Sequence, residues 1–438
     1  MLRPSIHRSG LLSRWQASRA ETDALFELVR PEHLFERPIS ERHRIAFYIG
    51  HLEAFDWNLI GVGLGLTSDR PDLDELFAFG IDPIEGNLPH DQPEDWPLLA
   101  EFFAYRQRVR QNLDAAVQEH AQDEERDRRL DHWLHVAIEH RQMHAETLSY
   151  LLHQLPFELK VGATRSSVAP TSPPDAQTIA IPAGKTTLGL RTASGEFGWD
   201  NEFEGHTVDV PAFAIDKFKV SNADYLRFVD AGGYDDPQFW SEADWAWKTA
   251  QQITHPAFWI RSGDAWFWRS MFEAIPLPLT WPVYVSLAEA SAYAKWAGRA
   301  LPSEAQWQRA AFEAGETTAH RDVDRPLKNI TQSDGFDPLP VNSTALVSPS
   351  PFGLVGLRGN GWEWTTTPFA PFHGFRIFDS YPGYSQPFFD GRHFVLKGGS
   401  VRTAAAMLRP SFRNWFQAHY QYVYAGFRCV DTVPRSVT

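Results

Sequence analysis

The chain has 438 residues, 43% hydrophobic and 22% charged, which supports two or three packed domains and is unlike a disordered chain. Its 41 basic and 55 acidic side chains leave a net charge of −14, which argues against the clustered basic face of a nucleic-acid or anionic-membrane binder. No apolar run approaches the ~18 residues of a spanning helix. The single cysteine, Cys429, excludes disulfide frameworks, cysteine-ligated zinc and paired-thiol redox chemistry, and fits a reducing, cytoplasmic setting.

The first twenty residues carry four arginines and no acid, a pattern shared with transit segments. Leu11, Leu12, Trp15, Leu25, Phe26 and Val29 nevertheless keep a helical rhythm, so the reading here is a short tail and a first helix through Arg30. Helical spacing recurs over Arg42–Leu66, Pro97–Asp123 and His132–Leu155, which together make a four-helix bundle over residues 1–158. The stretch VGATRSSVAPTSPPDAQ (161–177) has no periodicity and reads as a linker, bounded here as 159–178.

The fourth helix contains EHRQMHAET, with His140 and His144 at i and i+4 on one helix face. Trp133, Ala137, Leu148, Leu151 and Leu155 share that face, so both imidazoles point into the bundle. On the second helix, His51 falls on a face with Phe47, Phe55 and Val62 and supplies a third inward imidazole. Buried imidazoles need partners, either hydrogen bonds or a metal. Three nitrogen ligands without a thiolate or carboxylate suit zinc or iron(II), and spacing does not choose between them.

Residues 179–438 have a different texture: short β-type runs, abundant Gly, Pro and aromatic residues, and two evident helices at Asn222–Ala231 and Leu287–Ala297. This is an α+β domain with much irregular structure, making the whole chain a multidomain α and α+β protein. Several strings occur in order: IPAGKTTLGL (181–190), DNEFEGHTV (200–208), WAGRALPSEAQW (296–307), GNGWEWT (359–365), VLKGGSVR (395–402) and SFRNWF…YAGFR (411–428). Together they resemble the formylglycine-generating-enzyme-like domain, a C-type-lectin-related fold. Sulfatase-activating members of that family use cysteines for copper-dependent oxidation, which a chain with Cys429 alone does not reproduce.

This domain behind a bundle bearing His51 and His140-x-x-x-His144 resembles the nonheme-iron sulfoxide synthases of ergothioneine biosynthesis, whose bundle is DinB-like. The resemblance implies that the three histidines hold Fe(II) in a cleft between the domains. It implies small-molecule substrates: hercynine, dioxygen, and a thiol or its selenium counterpart. It also implies a tyrosine proton donor, here Tyr381 or Tyr384 in FDSYPGYSQPFF, with Tyr381 preferred. Asn414 and Trp415 match an Arg-Asn-Trp run that lines the hercynine pocket, and Gln142 lies beside the position of a glutamine in the relatives.

The departures fall on the second substrate. Relatives that use γ-glutamylcysteine follow Arg-Asn-Trp with an aspartate and, four residues later, an arginine; here the positions hold Phe416 and Tyr420. Their carboxylate-gripping arginines lie between the second and third bundle helices, whereas residues 71–105 contain no Lys or Arg and nine acids. A surface of Phe416, His419 and Tyr420 is aromatic, polar and largely uncharged, which suits a sugar. The branch that fits is the selenoneine synthases, which join hercynine to a seleno-sugar. An ergothioneine-type enzyme using γ-glutamylcysteine or cysteine is the alternative, and a lectin-like binding module with a structural metal is the reading from another class.

Overall fold

In a computed structural model the chain divides into two compact units, 1–163 and 164–438. The structure describes residues 4–78, 90–120, 124–162, 172–312, 335–346 and 350–432. The middle of the expected linker, 163–171, lies outside them. Among the described residues no helix is long and apolar enough to cross a membrane.

The first unit is built from α1 (Pro4–Phe26), α2 (Ile45–Asp56), a short α3 (Pro71–Leu76), α4 (Leu99–His120) and α5 (Glu124–Gln154). Helix α1 packs on α5, and α2 packs on both α4 and α5. The core-facing side chains include Leu11, Trp15, Phe47, Leu113, Leu134, Leu148 and Leu151. The arginine-rich start is thus helical from Pro4. Helix α5 begins eight residues earlier than its apolar stripe predicts, at Glu124 instead of His132. The sequence of its first turns is polar, so no apolar stripe marks where the helix starts.

Helix α2 does not stay α-helical to Leu66. It passes into a π turn over Trp57–Gly61, with the Val62 N–H donating to the Trp57 carbonyl five residues back at 3.0 Å. A π turn carries an extra residue and rotates everything beyond it. Val62, expected on the His51 face, is therefore 58% exposed.

The second unit holds small sheets joined by irregular chain. One is β1 (Thr178–Ile181), β4 (Phe213–Asp216) and β12 (Val430–Thr432), with β4 in the centre. Another runs β10 (Asn414–Gln417), β9 (His393–Lys397), β8 (Trp362–Pro368) and β11 (Ala425–Gly426), the last pair parallel. Strands β2 (Gly184–Leu188) and β3 (His206–Val210) pair with each other, as do β5 (Trp259–Ser262), β6 (Ala265–Arg269) and β7 (Ala274–Pro276). Four helices, α6 (Asn222–Asp230), α7 (Glu242–Ala250), α8 (Leu287–Trp296) and α9 (Glu304–Ala311), each start behind a serine. The hydroxyls of Ser221, Ser241, Ser286 and Ser303 accept from the backbone N–H three residues on, satisfying an orphan donor.

The centre of this unit is the Glu363 carboxylate on β8. Arg428 donates to it twice, at 2.7 and 2.8 Å, Trp307 Nε1 donates at 2.9 Å, and Lys219 completes the cluster. Trp362 and Trp364 are buried on either side, so GNGWEWT is a structural core element. Cys429 is 1% exposed, and its N–H donates to Asp216 Oδ2 at 2.9 Å.

Candidate metal centre

Helices α2 and α5 bring His51, His140 and His144 together in the first unit. All three are buried, and one ligand nitrogen from each lies within 4.8 Å of the others. The Nε2 atoms of His140 and His144 are 3.1 Å apart. Two metal–nitrogen bonds of ~2.1 Å at a right angle would separate their nitrogens by about 3.0 Å, so the pair already has the spacing of two ligands on one ion.

The protonation states agree. Burial drives the His51 pKa down to about 4, and burial with mutual repulsion drives His140 and His144 well below the usual value, so all three are neutral donors. His51 Nδ1 lies 2.8 Å from the Phe77 carbonyl oxygen, which can only accept, so Nδ1 carries the proton. That leaves a bare lone pair on Nε2, which is buried without a hydrogen-bond partner. An enclosed acceptor of this kind, among two other imidazoles, fits a metal cation.

Local packing fixes the rings. Phe47 stacks on His51, with centroids 5.0 Å apart, and Phe55 stacks on His140 at 3.5 Å. Tyr48 approaches His144 at 5.7 Å. Gly50 lets α3 come close: a Cβ there would sit 2.4 Å from Phe77 Cγ. Glycine inside a helix costs about 1 kcal/mol relative to alanine, so the close approach is maintained against helix propensity.

Beneath the imidazoles lies a buried charge cluster. Arg141 donates to Glu53 at 3.1 Å, to Asp56 at 2.9 Å and to the Leu52 carbonyl at 3.0 Å. Arg110 also donates to Glu53, and Trp15 Nε1 donates to Asp56. Burial alone would raise Glu53, but Arg141 and Arg110 hold it down at about 2. Arg141 thereby pins α5 to α2 one residue from His140. Gln142 is half-buried, and its Oε1 is enclosed without a hydrogen-bond partner.

In the second unit the other expected residues form two groups. Tyr384 is buried and stacks on Trp199 at 3.9 Å, while Tyr381 is half-buried at 5.6 Å from Tyr384. Trp415 stacks on Phe369 at 4.2 Å and meets the edge of Tyr384 at 5.1 Å. Asn414 Oδ1 accepts from the Trp415 N–H at 2.9 Å, which orients the side-chain amide. The second group is Phe416 stacked on Tyr420 at 5.1 Å, and His419 stacked on Trp247 at 4.4 Å. His419 Nε2 also lies 2.8 Å from Asp244 Oδ1. The expectation of a largely uncharged surface here is therefore corrected, because α7 supplies an acid.

Similarity to known proteins agrees with both units. The DinB superfamily matches residues 14–148, and the sulfatase-modifying factor enzyme 1-like domain matches residues 164–433. The chain is 35% identical over 301 residues to the hercynine oxygenase of Mycobacterium tuberculosis, covering 67% of this chain and 70% of that protein. The chain belongs to the hercynine oxygenase family. The Mycolicibacterium smegmatis hercynine oxygenase is 34% identical over 312 residues. Ergothioneine biosynthesis protein 1 of Neurospora crassa is 26% identical across 98% of this chain, which spans 58% of that protein.

In this member of the hercynine oxygenase family, sequence reasoning passed over Phe77, Asp244 and Trp247. Phe77 acts through its carbonyl, which side-chain patterns do not reveal. Asp244 was accessible, since Ser241-x-x-Asp244 ahead of Trp245 and Trp247 is a helix-start signature.

Proposed function

We propose that the chain catalyses an iron(II)- and dioxygen-dependent coupling of hercynine to a seleno-sugar. The C–H of the hercynine imidazole and the Se–H of the sugar are lost, a C–Se bond forms, and one oxygen atom ends on selenium. The other leaves as water, so dioxygen accepts the four electrons. The observation that carries the family-level reading is the three-imidazole cluster with a bare His51 Nε2. His51, His140 and His144 would hold the iron, which when bound supplies the electron path between dioxygen and the chalcogen.

The protein's own groups do the rest. Phe47 and Phe55 keep two ligand rings oriented and the site dry. Asn414 presents its amide to the hercynine imidazole, and Trp415 offers an aromatic face to the trimethylammonium group. Tyr381 donates the proton, being less enclosed than Tyr384. Gln142 accepts a substrate hydrogen bond at its enclosed Oε1.

The choice of a sugar over γ-glutamylcysteine is supported by Phe416 and Tyr420, which stack on each other at positions where a charged substrate would need an ion pair. His419 and Asp244 suit hydroxyl groups as donor and acceptor. Arg37 and Arg44, which do reach the 71–105 segment, are both engaged by Asp91. Leaving substrate carboxylates without cations in a buried site would cost several kcal/mol.

The test is anaerobic reconstitution with iron(II), then hercynine and dioxygen with seleno-sugar, γ-glutamylcysteine and cysteine in competition. A hercynyl seleno-sugar adduct in the mass spectrum is expected. A γ-glutamylcysteine sulfoxide as the dominant product would replace the seleno-sugar reading with the ergothioneine one.

A further inference from the structure

The ligand His51 depends on a backbone carbonyl for its tautomer, and that carbonyl sits at the C-terminal end of the six-residue helix α3. Phe77 closes α3, so its C=O has no acceptor role inside the helix and is one of the orphan groups of a helix end. His51 Nδ1–H satisfies it. What keeps a six-residue helix in place is then decisive for the centre. On α4, the Tyr105 hydroxyl donates to Asp74 Oδ1 of α3 at 2.6 Å, with Tyr105 1% and Asp74 8% exposed. Burial, reinforced by Asp74, raises the Tyr105 pKa and keeps it the donor. The Phe77 ring packs on Phe102 and Tyr105 at 5.0 and 5.4 Å, and its other side lies where Gly50 has no side chain.

Resting on the reading of the three histidines as a metal centre, we infer that the buried Tyr105–Asp74 pair is a positioning device: it anchors α3 so that the Phe77 carbonyl holds His51 with Nε2 toward His140 and His144. None of these residues is among the three histidines that would hold the ion. They act through the orientation of one ligand, and groups that orient metal-bound histidines typically change affinity 10–100-fold when removed.

The test uses the full chain, stripped of metal and titrated with Co(II). The variants are Tyr105→Phe, the double variant Tyr105→Phe/Asp74→Leu, His51→Gln, and Leu113→Ala as a bundle-destabilising control away from α3. The double variant removes both polar partners and so leaves no buried orphan if the single one folds poorly. Co(II) affinity, the visible spectrum of the bound ion, and the tautomer of His51 by 15N NMR of the metal-free protein are read together. Both Tyr105 variants are expected to weaken Co(II) about tenfold, shift the spectrum and lose the Nδ1–H state, while Leu113→Ala changes thermal stability alone. Wild-type affinity, spectrum and tautomer in the Tyr105 variants would overturn the positioning role alone. Co(II) binding by the wild type that His51→Gln leaves unchanged would overturn the metal centre beneath it.

Discussion

Phe55 lies flat on His140, with ring centroids 3.5 Å apart and planes 12° from parallel. The His140 ring on α5 is thus clamped by a residue of α2, through packing between the two helices. Phe55→Ala is expected to lower stability by about 1–3 kcal/mol and iron(II) affinity about tenfold, as seen by denaturant titration and metal titration. An unchanged affinity would mean that the stack only fills space.

Metal should stabilise the first unit. An ion at a hundred times its dissociation constant adds about 2.7 kcal/mol, so chelation is expected to lower the melting temperature and iron(II) or Co(II) to restore it. His140→Ala and His144→Ala should melt at one temperature with or without metal. Calorimetry with elemental analysis of the dialysed protein checks both statements.

Arg141 is the hub of the buried charges, bonded to Glu53, Asp56 and the Leu52 carbonyl. Arg141→Met would strand carboxylates in the core and is expected to cost about 3–5 kcal/mol. The triple variant Arg141→Met/Glu53→Gln/Asp56→Asn should recover part of that loss. Urea unfolding of the pair measures it.

Both units carry a carboxylate held at about 2. Burial raises Glu53 and Glu363, and their arginines, with Lys219 in the second case, more than reverse it. A depressed folded pKa contributes stability that is complete above the unfolded value of about 4.5 and is lost as pH falls toward 2. Melting temperatures should therefore hold steady at neutral pH and drop between pH 4.5 and 2. A flat profile through that window would contradict the ion-pair assignment.

The specificity reading predicts that Phe416→Asp/Tyr420→Arg moves preference toward γ-glutamylcysteine. The expected change is at least about tenfold in the ratio of kcat/KM values, the worth of one well-placed ion pair. Competition assays read by mass spectrometry would show it.

The histidines were legible because i,i+4 spacing on an apolar stripe is a one-dimensional signal that survives folding. Their partners were not. His51 takes its orientation from a carbonyl twenty-six residues away, on a helix too short to show periodicity. Val62 was misplaced because a π turn leaves no mark in an apolar pattern. In the second unit, α6 and α8 could be read from their helical stretches, while α7 and α9 hide among aromatic residues and announce themselves only through Ser241-x-x-Asp244 and Ser303-x-x-Gln306. Asp244, and with it the charge beside His419, was lost for that reason.

Cys429 gives the molecule an internal clock. With a single thiol in the chain, 1% exposed and raised in pKa by burial, no alkylating reagent reaches it while the second unit is closed. Labelling under native conditions therefore counts openings of that unit alone, and the bundle contributes no background. Adding a ligand that binds the second unit would slow the labelling in proportion to its occupancy, whereas metal bound only to the bundle would change it solely to the extent that the two units open together.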